Sequence, residues 1–158
     1  MPTVLIIYYS RSGNTAKMAE YVREAVVAEG CAAVMKPVAE VEVADLLEPQ
    51  GIIIGSPTYY GGMAAEIKQL IDKSVKYHGK LAGKVGGAFS SAGNIGGGNE
   101  TTIRSILDAF LIHGMIVQGT PKGDHYGPVA IGAPDERSET CCRELGSIVA
   151  RLVNRLFG

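Results

Sequence analysis

The feature that most constrains this chain is its opening. Val4-Leu5-Ile6-Ile7-Tyr8-Tyr9 runs without a break into Ser10-Arg11-Ser12-Gly13-Asn14-Thr15. A short, nearly continuous run of aliphatic and aromatic residues over 4–9 suits a strand covered on both faces. A helix is expected directly after the polar turn, over residues 15–29. Ala19, Val22 and Val26 recur there at three- and four-residue spacing, while Lys17, Glu20, Arg23 and Glu24 fill much of the rest. Gly30 stands where a left-handed residue would stop it.

The same alternation continues to the C-terminus. Strands are expected at 32–38, 51–55, 84–90 and 115–118, with a brief further strand at 129–131 inside a stretch rich in Gly and Pro. A short turn is expected at 43–47. Helices are expected at 64–75, on Ile67, Leu70 and Ile71, and at 100–113, on Ile103, Ile106, Leu107 and Phe110. The last helix starts at Asp135 or Ser138, either of which could cap it. Leu145, Ile148, Val149, Leu152, Val153 and Leu156 mark its buried face. Strands alternating with helices imply right-handed crossovers and a parallel sheet with helices on both sides. At 158 residues the chain suits one domain, 1–158.

Composition narrows the function. With 15 Lys and Arg against 16 Asp and Glu, the formal charge is -1, without the basic excess of a nucleic-acid binder. No apolar stretch is long enough for membrane insertion. The N-terminal sequence has neither the basic leader nor the long apolar core of a signal peptide. Cys31, Cys141 and Cys142 are odd in number, and two are adjacent. They make a poor disulfide framework and no zinc spacing, so reduced thiols in a cytoplasmic protein without a metal centre are expected.

In open α/β sheets, ligands sit beyond the C-terminal strand ends. Three loops of unusual composition leave such ends: 10–15, 56–62 and 90–99. A fourth, around Tyr126-Gly127-Pro128, could complete a rim. The first offers hydroxyls at Ser10, Ser12 and Thr15, an amide at Asn14, and Gly13 for close backbone approach. With the free N–H groups of the following helix it would make an anion nest. It lacks both the Walker lysine pattern and GxGxxG spacing, so a monophosphate on neutral donors fits best. The alternative is an ordinary turn capping a helix.

These residues resemble the flavodoxin-like superfamily, and more closely the WrbA-type NAD(P)H:quinone oxidoreductases. Ser10-Arg11-Ser12-Gly13-Asn14-Thr15 resembles the flavodoxin phosphate loop. Gly55-Ser56-Pro57-Thr58-Tyr59-Tyr60-Gly61-Gly62 is similar to the WrbA-type flavin loop. Phe89-Ser90-Ser91-Ala92-Gly93 and Gly96-Gly97-Gly98-Asn99-Glu100-Thr101 resemble the next loop, and His113-Gly114-Met115 a later segment. The resemblance implies a flavodoxin-like three-layer α/β sandwich, with a five-stranded parallel sheet of order 2-1-3-4-5, that binds FMN.

By that resemblance, Ser10, Arg11, Ser12, Gly13, Asn14 and Thr15 hold the FMN phosphate. Pro57, Thr58, Tyr59, Tyr60, Gly61 and Gly62 hold the isoalloxazine and ribityl parts. So do Ser90, Ser91, Ala92 and Gly93, with Gly96, Gly97 and Gly98. Tyr59 or Tyr60 could cover a ring face, or simply line a surface loop. Tyr126 would join the rim of the flavin pocket. His113 would be the catalytic side chain facing a nicotinamide or quinone, or else a histidine satisfied at a helix C-terminus.

The implied activity is FMN-dependent transfer of electrons from NADH or NADPH to a quinone or similar small acceptor. The alternative is a flavodoxin- or flavoredoxin-like carrier that serves a protein partner. A homo-oligomer is compatible with the aromatic, glycine-rich rim. The chain departs from the WrbA pattern in being compact after its fourth and fifth strands. It also has Tyr59 where those proteins often have arginine.

Overall fold

The computed structural model describes all 158 residues. Strand β1 (Thr3–Tyr8) leads into helix α1 (Asn14–Ala28), then β2 (Ala32–Pro37), β3 (Gly51–Pro57), α2 (Ala65–Lys73) and β4 (Val85–Ala92). Helix α3 (Asn99–Ile112), β5 (Ile116–Val117), β6 (Val129–Ile131) and α4 (Glu136–Phe157) complete the chain. The sheet order is β2-β1-β3-β4-β5, and every pairing is parallel. This is the three-layer flavodoxin-like sandwich.

The alternation of side chains along a strand explains the layers. Val4 and Ile6 of β1, with Ile53 and Phe89, face α1 and α4 in one buried cluster. Leu5 and Ile7, with Ile52, Ile54 and Ala88, face α2 and α3 in the other. Both faces of β1 and β3 are therefore apolar, which is why their sequences lack alternation. Helix α4 is capped as its sequence suggests: Asp135 accepts from the Ser138 N–H at 2.8 Å, and Ser138 Oγ accepts from the Asp135 N–H at 2.8 Å.

The fifth position of the sheet differs from a continuous strand at 115–118. It is filled by two segments laid end to end against β4. β5 pairs with Val85 and Gly86, and β6 with Ser90, Ser91 and Ala92. Pro121 and Pro128, which lack an N–H, and the intervening glycines cannot continue a ladder, so the chain leaves the sheet after Val117. It returns where the Ser90 N–H donates to Pro128 O at 3.0 Å. This second anchoring lengthens β4 to Ala92 and carries its end into the loop cluster.

Candidate functional site

The C-terminal ends of β1, β3 and β4 converge. After β1, Ser10 Oγ accepts from the Gly13 and Ala16 N–H groups at 3.1 and 3.2 Å, curling residues 10–13 into a tight turn. Gly13 sits at φ 96°, a left-handed conformation open chiefly to glycine. The backbone N–H groups of Arg11, Ser12, Asn14 and Thr15 make no hydrogen bond within the chain. No acidic residue lies in the first turn of α1. The positive end of the helix and four unpaired donors therefore face outward together, as an anion nest requires. Arg11 is the loop's one cation, and it is exposed.

Hydroxyl pairs tie the loops to one another. Thr15 Oγ1 meets Ser91 Oγ at 2.8 Å, and Thr58 Oγ1 meets Ser90 Oγ at 2.9 Å. The Thr58 N–H donates to Ser91 O at 2.7 Å. Ser90 and Ser91 are buried, so their hydroxyls brace the loops and leave ligand contacts to the backbone. Ala92 lies within β4, its carbonyl accepting from the Gly132 N–H, and Gly93 begins the exposed stretch. Pro57 ends β3, and residues 59–62 form a reverse turn. The Tyr59 N–H donates to Gly62 O at 2.9 Å, and the Gly62 N–H to Tyr59 O at 3.1 Å. Tyr60 at φ 51° and Gly61 at φ 76° occupy its two corners, the successive positive φ values of a type I′ hairpin turn.

Tyr60 projects fully into solvent, and Tyr59 is 38% exposed. The Tyr59 ring meets Tyr9 edge-on at 6.4 Å. The nearby Glu66 carboxylate, with partial burial, holds the Tyr9 phenol above its ordinary range.

Gly96, Gly97 and Gly98 lead into α3. A groove of about 500 Å³ runs beside them, lined by Gly96, Gly98, Asn99, Tyr126 and Ile131. Asn99 Oδ1 is buried without a partner. Tyr126 is half-exposed, with the Arg104 guanidinium 5.4 Å from its ring centre. It thus joins the cluster on the 96–98 side only. A second groove, about 560 Å³, borders the first loop at Tyr9, Ser10, Gly13, Glu66 and Gln69.

His113, expected as the catalytic side chain or as a histidine satisfied at a helix C-terminus, is not brought to this cluster within the chain. It follows α3, whose 14 residues run away from the site for about 21 Å at 1.5 Å per residue. Its neighbour Gly114 accepts from the Gly83 N–H, just before β4 begins. Ser74 Oγ donates to Ile71 O at 2.5 Å and so accepts from His113 Nε2–H at 2.7 Å. Nδ1 is buried and unpartnered. Burial, with His78 second, holds the imidazole below its ordinary value of 6.5.

Above the unfolded value, folded and unfolded chains both carry neutral histidine, and the contribution is complete. As pH falls below it, the unfolded chain takes up the proton first, and stability declines toward the lower folded value. Urea midpoints between pH 7.5 and 5 should therefore fall, and His113→Gln should reduce that slope. An unchanged slope in the variant would remove His113 as its source.

Two braces escaped the sequence reading. Ser56, buried at the end of β3, accepts from the Ala64 N–H at 2.9 Å and donates to Pro57 O at 2.8 Å, closing the base of the second loop. Thr101 reaches Gly61 O at 2.7 Å. A buried serine at a strand end and a hydroxyl in a helix's first turn are the only signals either leaves. Burial holds the Cys31 and Cys141 thiols up and pushes that of Cys142 up to about 12. No helix is long and apolar enough to cross a membrane.

An outward anion nest made of neutral donors, joined by hydroxyl pairs to a glycine- and tyrosine-rich rim, suits a phosphate ester carrying a flat ring, and FMN is such a molecule. A sequence profile described as a flavodoxin domain matches residues 5–95. The chain is similar to a flavodoxin of Aquifex aeolicus, 39% identical over 97% of this chain and 88% of that one. It is also similar to an NAD(P)H dehydrogenase (quinone) of Archaeoglobus fulgidus, 31% identical over 99% of this chain and 100% of that one. Among solved structures it superposes on a flavodoxin, WrbA-like protein from Agrobacterium tumefaciens with a TM-score of 0.83. That pair is 25% identical, covering 98% of this chain and 99% of the other. The chain belongs to the flavodoxin family and has its FMN-binding fold.

Proposed function

We propose that this chain is an FMN-dependent oxidoreductase that takes electrons from NAD(P)H and passes them to a quinone or similar small acceptor. The observation that carries the cofactor assignment is the set of four unpaired N–H groups at Arg11, Ser12, Asn14 and Thr15. These would hold the phosphate. The turn at Tyr59, Tyr60, Gly61 and Gly62, with Gly93 and Gly96–Gly98, would hold the ring.

FMN, when bound, supplies reversible redox chemistry in one- and two-electron steps. The protein's part is binding, orientation and electrostatics. Unpaired N–H groups at Tyr60 and Gly61 would stabilise negative charge on an adjacent reduced ring. The exposed Tyr60 and the open grooves leave the rim accessible to a small co-substrate. The formal charge of -1 offers little long-range steering toward a charged protein partner.

A second reading, an electron carrier for a protein partner, is favoured by the chain's compactness. The match to the quinone dehydrogenase spans 190 aligned positions and all of its length, against 158 residues here. This chain thus lacks about thirty residues of that relative's length.

Steady-state oxidation of NADH or NADPH by the FMN-loaded protein, with and without a short-chain benzoquinone, separates the two. Fast quinone-dependent turnover supports the enzyme. FMN that is reduced only when a partner reductase is supplied supports the carrier and contradicts the first reading.

A further inference from the structure

Residues 59–62 form the most strained segment of the site. Tyr60 is the only residue other than glycine with positive φ, at 51°. A side chain held in the left-handed region is unfavourable and persists only where its surroundings over-determine it. The turn's own pair of hydrogen bonds engages the Gly62 N–H but leaves the carbonyl of the same peptide, Gly61 O, without a partner in the turn.

The partner of that carbonyl lies on another element. The Thr101 hydroxyl, in the first turn of α3, is 2.7 Å from Gly61 O and 2.9 Å from Gly98 O. It has one proton to donate. Gly98 O already accepts from the Thr102 N–H at 2.9 Å and from Thr102 Oγ1 at 2.9 Å, which fills both of its lone pairs. Gly61 O has no other donor. The Thr101 proton therefore belongs to Gly61. Backbone contact reinforces the link, since a Cβ at Gly98 would lie 2.4 Å from Gly61 Cα. The turn thus rests directly on the start of α3.

We infer that Thr101 is a positioning residue. It ties the Gly61 carbonyl to the start of α3 and so fixes the orientation in which the tip of this turn presents its unpaired groups, the N–H groups of Tyr60 and Gly61 and the Tyr60 carbonyl, to whatever ring the rim holds. This inference rests on the flavin reading of the rim for its consequence, but the lock itself belongs to the protein alone. Thr101 is exposed, and Gly98 rather than Thr101 is the N-cap, so its replacement leaves the fold intact.

The test compares Thr101→Val, which keeps the shape and removes the donor, with Thr101→Ser, which keeps the donor. In the FMN-free protein, amide exchange at Gly62 is expected to be about tenfold faster in Thr101→Val and close to wild type in Thr101→Ser. On titration with FMN, Thr101→Val is expected to bind about tenfold more weakly and, once loaded, to show a more negative midpoint potential, with Thr101→Ser restoring both. Unchanged Gly62 exchange in Thr101→Val, or an equal change in both variants, overturns the lock. Faster Gly62 exchange with unchanged FMN affinity and potential overturns its role toward the ring. A wild-type protein that takes up no FMN overturns the proposed function instead, and the lock is then decided by the exchange rates alone.

Discussion

Replacing Asn14 by Asp is expected to raise the melting temperature of the FMN-free protein and to weaken FMN binding about 100-fold. The two effects share one cause. Asn14 is the first residue of α1, whose first turn contains no acid and whose N–H groups at Asn14 and Thr15 are unpaired. A carboxylate there complements the helix dipole for about 0.3–1 kcal/mol. In a chain of this size that corresponds to about 1–3 °C. The same carboxylate would lie beside the bound phosphate. At a separation of about 6 Å and an effective dielectric constant of about 20, each pair of like charges costs about 2.8 kcal/mol, or a factor of about 100 in affinity. Thermal melts of the cofactor-free protein and quenching of FMN fluorescence read the two effects separately. If stability and affinity fell together, the substitution would merely be damaging the turn, and the electrostatic account of the loop would be wrong.

Phe89→Ala is expected to destabilise the fold by about 3–5 kcal/mol. Phe89 is fully buried in β4, and its ring fills the space beside Gly55 of β3, where a Cβ would sit 2.1 Å from the ring. Glycine at 55 and phenylalanine at 89 are two halves of one packing solution, so neither neighbour can collapse into the cavity left behind. Against a total stability of about 5–15 kcal/mol, the urea midpoint should fall steeply with the slope unchanged. FMN affinity should fall as well. Ser90 and Ser91, next along the strand, carry the hydroxyls that hold Thr58 and Thr15. Phe89→Leu should recover most of the stability. A loss below about 1 kcal/mol for Phe89→Ala would show that the packing against Gly55 contributes little.

How far the sequence revealed this architecture depends on the kind of interaction that decides each element. β1 and β3 are legible because Val4–Ile7 and Ile52–Ile54 are apolar on both faces, and only a sheet covered by two helical layers buries both. Helices α1 and α3 begin one residue earlier than expected, at Asn14 and Asn99, since Gly13 and Gly98 are the caps. Helix α2 ends at Lys73, short of the expected 75, and the chain tightens into a 3-10 turn over Ser74–Tyr77. Ser74 is there committed to Ile71 O and His113.

The divided fifth position was only half visible. Short runs at 116–117 and 129–131 can be seen, but their joint pairing with one strand is a tertiary fact. His113 shows that residues of a motif read in order need not meet in space within one chain. It lies 15 residues beyond Gly98 in sequence, and a helix turns that interval into distance. Thr101 shows the converse: its partner Gly61 is 40 residues away, and no local pattern announces a hydrogen bond of that span.

The central claim is that residues 10–15 form a seat for a phosphate. Parallel titrations of the FMN-free protein with FMN and with riboflavin, which share the ring and differ in the phosphate, test it most directly. The account predicts that FMN binds at least 100-fold more tightly, because charge-assisted hydrogen bonds of about 1.5–3 kcal/mol each are lost with the phosphate. Equal affinity for the two, or no binding of either, would contradict it.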